Sequence, residues 1–141
     1  MTDGENKKLE EQRFDLSTAQ ADLKNSPRSD LGMVSIEDFA KLKIKIGKIL
    51  SAEKVPDADK LIKFTVDLGE GSPRQILSGI AMHYPDPSVL VGKQVPVLTN
   101  LAPRVIRGHE SQGMILYAVG EGEHFTTVEP AKEVPVGTPL K

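Results

Sequence analysis

From Val34 onward the chain breaks into short runs of alternating apolar and polar residues, separated by clusters of Gly, Pro, Asp and Asn. A period of two is the mark of a half-buried β-strand. Leu42-Lys43-Ile44-Lys45-Ile46 shows it strictly and predicts a first strand with isoleucines toward the core and lysines on the other face. Gly47 interrupts that period as a bulge would, and Ile49-Leu50 resume it. Val55-Pro56-Asp57-Ala58-Asp59 is turn chemistry, and residues 61–68 read as a second strand. The loop Gly69-Glu70-Gly71-Ser72-Pro73 folds residues 74–77 back as a hairpin partner. Further strands are predicted over 95–98, 114–119 and 125–128, with one helical turn over 88–91, a hairpin turn at Gly120-Glu121-Gly122 and a terminal turn at Val136-Gly137. Ser35, with Asp38 three residues on, resembles a capping box and predicts a short helix through Leu42 that buries Ile36, Phe39 and Ala40. Short strands with frequent turn signals and a single short helix predict an all-β fold, a small closed or nearly closed barrel.

Residues 1–32 differ. Their apolar positions are sparse (Leu9, Phe14, Leu16, Leu23) among charged and small polar residues, with Asn25-Ser26-Pro27 and Ser29-Asp30. A helical turn or two over 7–14 aside, this segment reads as a disordered tail or linker, leaving 33–141 as the one domain. A length of 141 residues suits a single core, here 38% hydrophobic but without Trp and with only four Phe and two Tyr. The absence of Cys rules out disulfides, thiolate metal sites and cysteine nucleophiles. No apolar run approaches the length of a membrane span, and residues 1–8 lack a signal-peptide core, so a cytoplasmic location and no membrane partner are expected.

The net charge of −2 argues at first against a polyanionic partner. Its distribution argues otherwise: residues 41–107 hold eleven bases against six acids, a net of +5, between flanks that are net negative. A local basic surface matters more to a polyanion than the total does.

Catalytic constellations are missing. His83, His109 and His124 lie far apart with no Glu or Asp at metal spacing and read as surface residues. Ser78-Gly79 lacks the glycines of a nucleophile elbow, and no Gly-rich phosphate loop is present. Asp57 and Asp59 mimic half of a calcium loop whose remainder is absent, which leaves turn capping. No cofactor and no metal are expected.

Two basic features remain. The series Lys41, Lys43, Lys45, Lys48, Lys60 and Lys63 reads either as a solvated strand face or as a polyanion surface. The segment 100–114 is too long for a simple hairpin loop, with Pro103 to stiffen it and Gly108 and Gly113 to turn it. Arg104 and Arg107 flank Val105-Ile106, an apolar pair expected to point inward. Arginine forks suit phosphates and base stacking, but these two could equally be salt-bridge partners of Glu110 and the acidic C-terminal third.

The ordered motifs carry a resemblance. They are Ile36-Glu37-Asp38-Phe39, Ile46-Gly47-Lys48-Ile49, Ala58-Asp59-Lys60-Leu61, Val66-Asp67-Leu68-Gly69 and Leu77-Ser78-Gly79-Ile80. The most specific is Asn100-Leu101-Ala102-Pro103-Arg104 with Arg107-Gly108 and Ser111-Gln112-Gly113-Met114, and Glu133-Val134-Pro135-Val136-Gly137 closes the set. Over residues 34–141 the chain resembles the tRNA-binding domain found at the C-terminus of many methionyl-tRNA synthetases. That domain also occurs as free-standing structure-specific tRNA-binding proteins and in cofactors of the endothelial-monocyte-activating-polypeptide type. Chaperone-like relatives share the fold but tend to lack the Ser-Gly-Ile and Ser-x-Gly-Met elements present here. Lys45 stands where the family often has Arg, and Val105 where Lys is common.

The resemblance implies an oligonucleotide-binding (OB) fold, a five-stranded Greek-key barrel with a short flanking helix and a C-terminal extension. It implies a homodimer, tRNA as partner through its overall shape, and a methionyl-tRNA synthetase catalytic core as a further partner. Lys45, Lys60, Arg104 and Arg107 would then contact phosphates, Asn100 and Ser111 would hydrogen-bond backbone or sugar, and Met114 would pack beside a nucleotide. The scarcity of aromatics agrees with phosphate and shape recognition over base stacking.

Overall fold

A computed structural model of the chain describes residues 32–141, so the expected tail, Gly32 apart, lies outside the described residues. The elements are α1 (Ile36–Ala40), β1 (Ile44–Val55), β2 (Ala58–Asp67), β3 (Arg74–Ser78), a 3-10 turn (Pro87–Leu90) and β4 (Gln94–Leu98). They continue with β5 (Arg104–Ile106), β6 (His109–Ser111), β7 (Met114–Ile115), β8 (Tyr117–Val119) and β9 (Phe125–Thr127).

The cap of α1 is the expected one: Asp38 N donates to Ser35 Oγ at 3.1 Å, and Phe39 N donates to Ser35 O at 3.1 Å. The expected buried side is not. No residue of α1 is buried, and Ile36 is 74% exposed. The helix is too short to seat a stripe of side chains.

Residues 40–141 form one compact unit. Its main sheet runs in the antiparallel order β3-β2-β1-β4-β7. The sheet curls back on itself, because Gln112 N donates to Gln75 O at 2.8 Å and ties the free edge of β3 to the segment leading into β7. A sheet whose two ends meet is a barrel, and the all-β expectation holds. Ile49, Ile62, Phe64, Val66, Ile76, Leu90, Val95 and Val97 fill it, each almost wholly buried.

The first strand corrects the sequence reading in two ways. Lys45 stands opposite Val97 and Gly47 opposite Val95, so the inner face of β1 runs Lys45, Gly47, Ile49, while Ile44 and Ile46 face outward. Gly47 is a close-approach residue and not a bulge. A Cβ there would lie 2.6 Å from Val66 Cγ1 and 2.9 Å from Leu68 Cδ2, so those side chains occupy the space a larger residue would need. The bulge falls at Leu50, between the pairs Ile49–Val66 and Ser51–Thr65. Outward-facing Ile46 is nevertheless buried, and its backbone is held by the C-terminal segment: Ile46 N donates to Thr138 O at 2.8 Å and Gly137 N to Ile46 O at 2.7 Å. Both atoms of the Gln94 amide fasten Val134 farther along that segment.

The expected single strand over 114–119 is divided at Leu116 into β7, in the main sheet, and β8, which pairs with β9 in a separate ribbon. Phe125 anchors the ribbon against His83, Tyr84 and Tyr117, and Tyr117 Oη meets Ser78 Oγ at 3.0 Å. Burial pushes the Tyr117 phenol well above the ordinary tyrosine range.

Candidate nucleic-acid interface

The segment 100–114 is not an irregular loop. β5 and β6 pair as a hairpin in the register Arg104–Ser111, Val105–Glu110, Ile106–His109, closed by the two residues Arg107 and Gly108. Both take positive φ, 52° and 82°, as a type I′ hairpin turn demands. Arg107 is the only non-Gly residue with positive φ among the described residues. An L side chain in that conformation is costly, and such strain concentrates at functional positions.

The apolar pair divides. Ile106 packs with Leu61 against Val55, Ala58 and Leu77, which seats the hairpin on the outer face of the β2–β3 sheet. Val105 points away and is 73% exposed, because alternation along a strand cannot turn two neighbours to the same side.

Polar clamps fix the rest. Ser111 is 5% exposed; its Oγ accepts from Leu77 N at 3.0 Å and donates to Gly113 O at 3.2 Å. Gln75 Nε2 donates to Glu110 O at 2.9 Å, and Gln112 Oε1 accepts from Gln75 N at 3.1 Å. At the other foot, Asn100 Oδ1 accepts from Lys43 N at 2.9 Å and Asn100 Nδ2 donates to Lys41 O at 2.6 Å. Asn100 and Ser111, expected to meet nucleic acid, thus spend their side chains on the scaffold. The Ser111 hydroxyl is both buried and doubly bonded, which leaves it no route to an external ligand.

The cations fare differently. Arg104 and Arg107 are exposed, and neither forms an ion pair among the described residues, with Glu110 or otherwise. The salt-bridge account of the two arginines therefore fails. Arg107 and Lys60, 47 positions apart in the chain, line one open groove of about 400 Å³ together with Asp57, Ala58, Asp59, Leu61 and Ile106. The groove lies between the β1–β2 turn and the tip of the arginine hairpin, with two cations and two carboxylates along its walls. Lys45 is not part of it; half-buried on the inner face of β1, it sits where that strand meets β4 and, on its other edge, Pro139. Met114 pairs with Leu98 at the edge of the main sheet and is 41% exposed.

The sequence reading missed Arg74. Its Nε and Nη2 hold both carboxylate oxygens of Glu70 at 2.8 Å, and its Nη1 reaches Thr99 O at 2.6 Å and Gln112 O at 3.0 Å. A lone arginine after a proline reads as the start of a strand and carries no sequence signal of such a role.

Residues 44–139 match the family described as "Putative tRNA binding domain". A methionine–tRNA ligase of Methanoregula boonei is 53% identical over 109 residues, which cover 77% of this chain and 16% of that ligase. A methionyl-tRNA-synthetase-related protein of Pyrococcus horikoshii superposes with a TM-score of 0.72 at 36% identity, covering 78% of this chain and 99% of that one. The chaperone CsaA of Bacillus anthracis superposes with a TM-score of 0.69 at 30% identity, covering 78% of this chain and all of that one.

Proposed function

We infer what this chain does from one premise: it belongs to the tRNA-binding domain family. On that premise it is a non-catalytic module that binds tRNA by shape and phosphate. The observation that carries the reading is the meeting of Lys60 and Arg107 at one open groove, with Arg104 free on the same hairpin. Lys60 and Arg107 contact phosphates there, and Arg104 contacts one from the hairpin strand beside it, where the guanidinium fork offers paired donors. Lys45 reaches a phosphate from the end of the barrel, and Met114 packs beside a nucleotide. Asn100 keeps one N–H and one lone pair for backbone or sugar, and Ser111 acts by holding the hairpin in place.

The relatives supply a context. The chain spans about a sixth of the length of the methionine–tRNA ligases it matches. It serves as the C-terminal domain of a methionyl-tRNA synthetase or as a free-standing accessory to one, in the cytoplasm, and raises the effective concentration of tRNA near the catalytic core. It pairs as a homodimer, supported by the exposed apolar side chains Val34 and Ile36 at the start of α1. Light scattering then gives about twice 15.3 kDa, and a monomer at tens of micromolar removes the dimer.

A second reading, a peptide-binding chaperone of the same fold, is favoured by the likeness to CsaA. Fluorescence anisotropy separates the two. Binding of tRNAs with different anticodons at affinities within about threefold of one another, below the tenfold of a lost specific contact, with no competition from unfolded polypeptide, supports tRNA binding. Capture of unfolded polypeptide without tRNA binding supports the chaperone.

A further inference from the structure

Arg74 stands opposite Val66 in the β2–β3 register, on the inner side of the sheet at the end of the barrel. It has five N–H donors and uses four, on three different segments. Glu70, in the β2–β3 loop, takes two of them side-on and fixes the plane of the guanidinium. The remaining nitrogen bridges the carbonyls of Thr99 and Gln112. Those two residues are the feet of the segment that carries Arg104 and Arg107. Each foot is also tied elsewhere: Thr99 N and Oγ1 both donate to Lys43 O, just before β1, at 2.8 and 2.7 Å, and Gln112 N donates to Gln75 O in β3. The neighbouring ladder pair Leu98–Met114 brings the two feet together, and the Arg74 guanidinium bonds both of them beyond that pair.

We propose that Arg74 is the positioning residue of the tRNA site: its guanidinium, oriented by Glu70, braces the feet at Thr99 and Gln112 where the Leu98–Met114 ladder pair ends, and thereby aims the arginine hairpin across the Lys60 groove. It acts through the hairpin and not by touching the nucleic acid, because four of its five donors are already committed inside the protein. The proposal deepens the tRNA-binding reading and rests on it for its functional half.

Lysine cannot replace this arginine. Its three donors radiate from one atom and cannot satisfy a carboxylate and two carbonyls on separate segments, although its charge is the same. Positioning and direct phosphate contact therefore predict different results for Arg74→Lys. A conserved charge in direct contact keeps most of the affinity. A broken clamp does not.

The experiment uses the full chain, fluorescent tRNA and a salt series, with amide hydrogen exchange on the same samples. Arg74→Lys and Arg74→Gln are expected to weaken tRNA binding by a similar factor, about fivefold or more, with the slope of log affinity against log salt unchanged. Exchange should quicken at residues 104–111 and stay as it was in the β1–β2 pairs. Glu70→Gln gives a sign test that is milder on the fold. It removes a negative charge, so an electrostatic role for this region predicts tighter binding, whereas loss of the bidentate partner of Arg74 predicts weaker binding with faster hairpin exchange. Tighter binding by Glu70→Gln overturns the proposal. So does Arg74→Lys at wild-type affinity combined with a salt slope about one unit shallower in Arg74→Gln, the result of a direct phosphate contact. If wild-type protein fails to bind tRNA, the family-based function falls, and the exchange pattern alone decides: quickening confined to 104–111 sustains Arg74 as the clamp, and unchanged exchange refutes it.

Discussion

The barrel and the arginine hairpin are both antiparallel β-structure, and they are held by opposite means. Strands β1 to β4 bury Ile49, Ile62, Phe64, Val66, Ile76, Val95 and Val97 in one continuous core. The hairpin has strands of three residues each and commits a single apolar side chain, Ile106, to a small satellite cluster. Everything else that fixes it is polar: Ser111 to Leu77, Gln75 to Glu110 and Gln112, and Arg74 to both feet. A two-stranded hairpin alone is marginal in water, so its orientation depends on these few directional bonds. The difference assigns labour. Apolar burial makes a scaffold that resists change, and hydrogen bonds aim the cations mounted on it.

The contrast can be broken most forcefully from the barrel side. Phe64→Ala empties a fully buried site and is expected to cost about 3–5 kcal/mol, with tRNA binding lost only as the chain unfolds. Chemical denaturation followed by circular dichroism checks it, and a cost near 1 kcal/mol would mean that the core is less continuous than described. Ser111→Ala removes the acceptor of Leu77 N and should cost about 1–3 kcal/mol, with tRNA affinity falling even where the protein is fully folded. Equal affinity in folded Ser111→Ala would show that the hairpin does not need its polar clamps. Val105→Lys should be the mildest. At an exposed position it leaves stability within about 0.5 kcal/mol, and it adds a cation between Arg104 and Arg107, steepening the salt slope of binding by about one unit.

How much of this was legible in the sequence follows the same divide. The barrel was legible because burial on one strand face leaves a period of two, and residues 61–68, 74–77 and 95–98 foretold β2, β3 and β4 closely. The face of β1 was not, because Ile44 and Ile46 are apolar yet face outward toward the C-terminal segment, and alternation cannot say which side a distant segment will cover. Gly47 misled because a strand glycine marks either a bulge or a close approach, and only the neighbours Val66 and Leu68 decide. The hairpin was hidden by its turn: Arg107 occupies the left-handed position that Asn or Asp usually signals. In the candidate site, Arg104, Arg107 and Lys60 were visible as cations, but the groove that unites Lys60 with Arg107 joins residues with no sequence relation. Asn100 and Ser111 were visible as polar residues near the arginines, and nothing local tells a polar clamp from a polar contact.

The central claim is that Arg104 and Arg107 face tRNA phosphate and do not brace the protein. The salt dependence of tRNA binding by the double variant Arg104→Ala/Arg107→Ala, measured beside its melting temperature, tests this most directly. Each lost phosphate contact removes about one unit from the slope of log affinity against log salt, so the slope should shrink by roughly one to two units. Binding should weaken alike for every tRNA. The melting temperature should stay at the wild-type value, since neither arginine holds an ion pair among the described residues. An unchanged slope with a depressed melting temperature would contradict the account and return both arginines to the scaffold.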